Sequence, residues 1–427
     1  MTAIMDLHTV KITERPRRTW LQTLHTTLFL FVFLLGCVMI NSSQFVFLLP
    51  LKLFPSPRGQ KMYTEGIRYS KGSFGTLLVL MSQWFAPTKL VISFETEGLG
   101  KFAYEELQEM VVRDNGGRVV GLNLPQKAVL IANHQIYADW WYAWCLTYYM
   151  GTHKDVLIVL KKSLKWVPVL GWGMQFFNFI FLARSWASDR LHLSTSLSWL
   201  GSRAEKDDSP LTFILYPEGT LVSIETRPLS KKFADKIGIP DMVHTLMPRS
   251  LGLQYSLRSL APRIPTLQLI DVTVSYPGTP PLGYGQSYYT LRSIFFDRVP
   301  PPAVHMHIRR FKVNKEVPIG GDVSASIPNG TPYGSFKSHA TEVDIPKEEG
   351  DKFELWLRSL WGEKDTLIDK YLETGSFVDD AAARTEIPLQ LRHRREVLDA
   401  FGFFMPIVVM LALVRVIWKE GSTNIML

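Results

Sequence analysis

The chain has 427 residues, enough for two or three ordinary domains or for one large α/β domain with additions, and 46% of them are hydrophobic, with the apolar excess gathered near the two ends. Its formal charge of +8 would suit either nucleic acid or an anionic bilayer. The sequence holds no zinc-finger spacing, RNA-binding signature or basic helix, so nucleic acid is set aside as a partner; two cysteines, Cys37 and Cys145, exclude a disulfide framework, and without HExxH or CxxC no structural metal site is expected.

The first predicted element runs from Leu24 to Phe54, "LHTTLFLFVFLLGCVMINSSQFVFLLPLKLF". Its first half gives about 17 apolar residues, the lower limit for one spanning helix. Polar residues Asn41 to Gln44 then interrupt the run, and basic residues flank both sides: Lys11, Arg15, Arg17 and Arg18 before it, Lys52, Arg58 and Lys61 after it. Charge on both sides predicts a hairpin that dips into a bilayer and returns rather than a single crossing. A cleaved signal peptide does not fit a stretch this long that starts this late.

Short β-branched and aromatic runs follow at Val91–Phe94, Val129–Ala132, Val156–Leu160, Phe179–Leu182, Phe213–Leu215 and Leu267–Val274. Helical patterns such as Trp140–Met150, Asp189–Leu200 and Lys352–Leu372 separate or follow them. The alternation predicts an α/β fold with a mostly parallel sheet flanked by helices. Pro/Gly-rich "SYPGTPPLGYGQ" and "DRVPPPAV" mark a loop or insertion near 275–303, and "IPNGTPYGSFKSH" marks a second loop near 327–339. "HMHIRRF", His305 to Phe311, reads as a strand with one polar face rather than a metal site. At the end, "AFGFFMPIVVMLALVRVIW", Ala400 to Trp418, follows "RHRRE" and predicts a C-terminal membrane helix, with an interfacial amphipathic helix as the alternative because Pro406 and Arg415 interrupt it. The expected organisation is a membrane anchor over 1–60, a catalytic domain over 61–320, a helical and loop extension over 321–398 and a membrane helix over 399–418.

The chemistry concentrates where apolar strands end. In "VLIANHQIYADWW" a buried strand closes on Asn133-His134 and an acid follows at Asp139. Positions five apart are about 140° apart on a continuous helix, so the two side chains meet only if His134 lies in the turn before the helix and Asp139 in its first turn. Such a pair is a base with an orienting carboxylate; taken alone, it equally describes a satisfied surface pair. In "FILYPEGTLVS" a second strand ends on Pro217-Glu218-Gly219-Thr220, where Gly219 lets backbone approach a ligand and Glu218 either structures the loop or bonds an acceptor hydroxyl. "FNFIFLARSW" and "HTLMPRSLG" bring Arg184 and Arg249 to similar corners, and a guanidinium fork suits phosphate or carboxylate. Lys161, Lys162 and Lys165 precede an aromatic segment suited to a lipid interface. No GxSxG nucleophile elbow is present, which argues against a lipid hydrolase.

"NHQIYAD", "FIFLAR", "YPEGT" and "LMPRS", in that order and spacing, resemble the four blocks of the glycerolipid acyltransferase family typified by 1-acylglycerol-3-phosphate acyltransferases. "RSWASDR" and the long C-terminal part resemble its eukaryotic branch of lysocardiolipin and lysophosphatidylinositol acyltransferases. The resemblance covers roughly Val91 to Val274. It implies that His134 takes the proton from a lysophospholipid hydroxyl, that Asp139 orients it, and that the hydroxyl attacks an acyl-CoA thioester directly, acyl-CoA being a co-substrate and no cofactor being needed. It further implies that Arg184 and Glu218-Gly219-Thr220 hold the glycerophosphate, with Lys161 near it. By the same resemblance the expected location is the endoplasmic reticulum membrane, with the catalytic domain facing the cytosol. A catalytically silent lipid-binding or scaffold protein of the same fold is the alternative. One departure stands out: Leu221 occupies a position where many members carry arginine. The missing cation favours a phosphodiester acceptor such as lysophosphatidylinositol, or a compensating role for Arg249.

Overall fold

The computed structural model describes residues 6–54, 56–183, 186–321 and 345–424. Arg184 and the predicted loop at 327–339 lie outside these residues.

Ten strands follow one another along the chain: β1 (Lys89–Phe94), β2 (Val111–Arg113), β3 (Val119–Leu122), β4 (Lys127–Ala132), β5 (Val156–Lys161), β6 (Ile180–Leu182), β7 (Leu211–Leu215), β8 (Gln268–Ser275), β9 (Val304–Lys312) and β10 (Arg384–Pro388). β2 and β3 form a separate antiparallel ribbon, and the other eight make one sheet in the order β10-β1-β9-β8-β4-β7-β5-β6. From β8 to β6 every pairing is parallel, as is β1 with β9. β9 runs antiparallel to β8, and β10 antiparallel to β1, so the sheet is mixed. β4 and β7, in its parallel part, are nearly continuous apolar runs and are buried, as strands of a covered parallel sheet are. The six runs predicted as strands are β1, β4, β5, β6, β7 and β8, and "HMHIRRF" lies in β9. The polar side of β9 is buried: His307 bonds Ser93 and Glu95, and Arg309 pairs with Asp271 and Glu363.

The amino-terminal region corrects the predicted hairpin. The chain is helical without a break from Trp20 to Leu53, passing through one wide turn at Gln44–Leu48, and a second helix, Pro57–Phe85, packs against it. The polar residues read as a break are absorbed inside the first helix. Asn41 Nδ2 donates to the Val169 carbonyl at 2.7 Å, Gln44 Nε2 to Ser70 Oγ at 3.0 Å, and Ser43 Oγ to the Ile40 carbonyl at 2.7 Å. Satisfied in this way, they need not leave the helix. Gly36 lets the second helix come close, since a Cβ there would lie 2.7 Å from Leu77 Cδ2. Among the described residues Trp20–Leu53 is the one helix long and apolar enough to cross a membrane, and Leu21, Leu24, Leu28, Phe31, Leu34 and Val38 are exposed along it.

The predicted C-terminal membrane helix is also corrected. A helix spans Met405–Asn424, but its apolar stretch, Met405–Arg415, is about half of the ~20 residues a crossing needs. Phe401–Phe404 form a turn instead of joining it, and Met405 is buried with Leu48, Ile67 and Phe176.

The segment predicted as an extension completes the sheet. β10 covers one edge, and the helix Lys347–Thr374 lies across β8 and β9. A buried charge cluster pins it there: Lys364 Nζ is 2.6 Å from Asp271 Oδ1 and donates to the Val272 carbonyl at 2.7 Å, while Arg309 Nη2 is 2.7 Å from Asp271 Oδ2.

Candidate active site

β4, β7 and β8 are adjacent and parallel, so their carboxyl ends, where ligands bind in open α/β sheets, open on one side. Asn133 extends β4 by one side chain, donating to the Val274 carbonyl at 3.0 Å and accepting the Val274 N–H at 2.7 Å. This clamp ends the strand and places His134 in the turn before the helix Asp139–Met150, which starts on the acid itself. His134 Nδ1 is 2.7 Å from Asp139 Oδ2.

Asp139 is 2% exposed and is held from several directions. The backbone N–H groups of Gln135 and Ile136 donate to Oδ2 at 2.6 and 3.0 Å, and the Tyr276 hydroxyl, just past the end of β8, donates to Oδ1. A carboxylate held by so many donors presents an acceptor oxygen to the ring and fixes the imidazole with Nδ1 protonated, leaving Nε2 as the basic nitrogen. Burial pushes the His134 pKa down, but the hydrogen bond and charge of Asp139, joined by the charge of Glu218, outweigh it and raise the group above its ordinary 6.5. The Tyr216 ring lies against the imidazole, with centroids 4.7 Å apart.

Of the two roles the sequence allowed Glu218, the geometry favours structuring. Its side chain is 2% exposed, Oε1 accepts the His134 backbone N–H and Trp361 Nε1–H, both at 3.2 Å, and Oε2 accepts the Leu246 N–H at 3.2 Å. Burial raises its pKa to about 7 against the lowering pull of those donors and of His134. The carboxylate therefore ties the His134 corner to the segment carrying Arg249. A further tie joins the Val222 N–H to the His134 carbonyl at 2.9 Å.

Gly219 has φ +74°, a left-handed conformation open to glycine, and Arg249 Cδ lies 3.4 Å from where its Cβ would stand. Arg249 and Gly219 are exposed, Thr220 is half-buried, and among the described residues the Arg249 guanidinium makes no hydrogen bond or ion pair. Gly219→Ala is expected to cost roughly 1–2 kcal/mol from the left-handed backbone, read as a lower melting temperature, and to crowd Arg249. Leu221 is buried, turned into the protein. Lys161 is exposed at the carboxyl end of β5, two strands from β4.

The structure thus brings His134, Asp139, Glu218, Gly219, Thr220 and Arg249 to one corner, with Lys161 along the same side of the sheet. Sequence reasoning missed Tyr276, Tyr216 and Trp361. Tyr276 and Tyr216 each follow a strand that ends at the site, the same kind of position that marks His134; Trp361 carries no such signal, because it arrives from a helix far along the chain.

Comparison with known proteins agrees with this geometry. A family model described as acyltransferase matches residues 118–258, and one described as acyltransferase C-terminus matches 336–398. An uncharacterized acyltransferase of Schizosaccharomyces pombe is 33% identical over 350 residues, covering 82% of this chain and 86% of the relative. The 2-acyl-1-lysophosphatidylinositol acyltransferase of Saccharomyces cerevisiae is 34% identical over 344 residues, 74% of this chain and 77% of its own length. Lysocardiolipin acyltransferase 1 of Danio rerio is 29% identical over 249 residues, 58% of this chain and 53% of its own length. With a histidine–aspartate pair at the strand ends and relatives that align along most of its length, the chain belongs to the glycerolipid acyltransferase family.

Proposed function

We propose that this protein moves a fatty acyl chain from acyl-CoA to the free hydroxyl of a lysophospholipid at the surface of a bilayer, in phospholipid synthesis or acyl-chain remodelling. The observation that carries the reading is His134 Nδ1 lying 2.7 Å from a buried, donor-saturated Asp139, beside a glycine corner with an uncommitted arginine. His134 Nε2 removes the hydroxyl proton as the oxygen attacks the thioester carbonyl; the acyl–oxygen bond forms, the carbon–sulfur bond breaks, and the proton passes to the departing CoA thiolate. Asp139 holds the imidazole in the required tautomer and stabilises its charged form. Arg249, Gly219, Thr220 and Lys161, with Arg184, form the acceptor's phosphate site. The exposed apolar helix Trp20–Leu53 supports a membrane position, which we assign to the endoplasmic reticulum with the catalytic face toward the cytosol.

With Leu221 buried, the glycine corner lacks the second arginine that would add to Arg249, and a site with one cation fewer suits the single charge of a phosphodiester better than the double charge of a phosphomonoester. Lysophosphatidylinositol is therefore the preferred acceptor. Purified protein given lysophosphatidylinositol and lysophosphatidic acid in parallel is expected to turn over the former faster, and Arg249→Ala to raise KM for the lysolipid about 10-fold while leaving that for acyl-CoA in place. A strong preference for lysophosphatidic acid would refute the assignment.

A further inference from the structure

The contacts that the catalytic corner makes outside its own strands and turns converge on one helix, Lys347–Thr374. Trp361 Nε1–H donates to Glu218 Oε1, the oxygen that also accepts the His134 backbone N–H. One helical turn on, Asp365 Oδ1 accepts the His244 and Thr245 N–H groups at 2.9 Å and the Thr245 hydroxyl at 3.1 Å, and Oδ2 accepts the Val243 N–H. His244, clamped in this way, offers its carbonyl to Gln135 Nε2 at 3.0 Å, next in sequence to His134, and the following Leu246 donates to Glu218 Oε2. Trp361 is fully buried, and Asp365 is 8% exposed. Two adjacent turns of one helix thus reach both ends of the Glu218 bridge, and Lys364 between them grips β8 just before Tyr276.

We propose that Trp361 is a positioning residue for the transfer step, holding Glu218 as the ionised bridge that sets the His134 corner against the Leu246–Arg249 segment, with Asp365 fixing the far end of that bridge. The inference rests on the acyl-transfer reading of the site. An indole N–H has one donor and no acceptor capacity, so it favours a carboxylate over a carboxylic acid. Protonated Glu218 would have to turn one oxygen from acceptor to donor and release a backbone N–H. The charged and titratable groups around it are His134 on its own side of the corner and Lys364 from the helix, and Asp139 stands behind His134. Neither His134 nor Lys364 replaces the contact that Trp361 makes.

The test is the pH profile of kcat in the full-length protein, with Trp361→Phe and, as a closer mimic, Trp361 replaced by 3-benzothienylalanine, which keeps the bicyclic shape and lacks the N–H. Both are expected to lower kcat at pH 7 about 10-fold, to leave both KM values within about twofold, and to move the acid limb of the profile upward by about one pH unit, the size of a lost charge-assisted hydrogen bond, so that activity returns at higher pH. An acid limb that stays in place or moves down overturns the proposal. So does an equal loss at every pH, which packing alone explains. Failure of the underlying reading looks different: acyl transfer would then survive His134→Ala, whatever the Trp361 variants do.

Discussion

His134→Ala is expected to reduce kcat for acyl transfer by about 10²–10⁴-fold, the range for removal of a general base, with a melting temperature close to that of the parent. The side chain is partly open and its backbone, not its ring, carries the ties to Glu218 and Val222, so the corner survives the truncation. Asp139→Asn gives the complementary loss, because an amide presenting its NH₂ to Nδ1 stabilises the wrong tautomer. The parent pH profile has a defined sign. His134 works when neutral and Asp139 holds its pKa above 6.5, so activity rises with pH through a point above that value and is lost below it. Glu218, raised to about 7, loses its bridging form over the same interval, so the limb is steeper than for one group and belongs to the pair. Cells carrying His134→Ala that keep the parent phenotype would instead favour the scaffold alternative.

Asp271→Asn is expected to give the largest loss of stability, about 3–5 kcal/mol, read as a fall in melting temperature of the detergent-solubilised protein. Asp271 is fully buried on β8 and faces two cations, Arg309 on β9 and Lys364 on the helix Lys347–Thr374. Burial pushes the Lys364 pKa down to about 8 even with Asp271 beside it, which shows how weakly the interior supports an ammonium group. Neutralising the acid leaves two cations in the core with carbonyls, Thr273, the Trp361 ring and the half-exposed Glu363 in place of a buried counter-charge. Activity falls with stability here, because the same helix carries Trp361 and Asp365.

Much of the site could be read from sequence because its parts are local. His134 and Asp139 are five residues apart across a strand-to-helix turn, and the turn alone decides whether they meet. Glycine at 219 and proline at 217 likewise declare a corner without knowledge of the rest of the fold. What could not be read is long-range. Nothing near "WGEKDT" marks Trp361 or Asp365 as partners of Glu218 and of the 243–245 backbone, since a helix pattern gives the buried face but not what it meets. The misplaced hairpin has the same origin: "NSSQ" looks like a break until Ser70 and the Val169 carbonyl are seen to satisfy it. At the C-terminus the apolar composition was plain, but Met405 spends its side chain on Leu48 and Ile67, a packing choice that hydropathy alone does not register.

The edge pairing of β1 sets a timetable for synthesis. Leu90 finds its sheet partners in Val304 and Ile387, so the first strand to leave the ribosome waits for nearly the last. At ordinary elongation rates that interval is roughly tens of seconds, during which the apolar helix Trp20–Leu53 is already available to a bilayer while Glu218 has no Trp361 to meet. A transcript truncated before Trp361 would yield a chain that keeps the apolar helix and the histidine while its active corner stays unassembled.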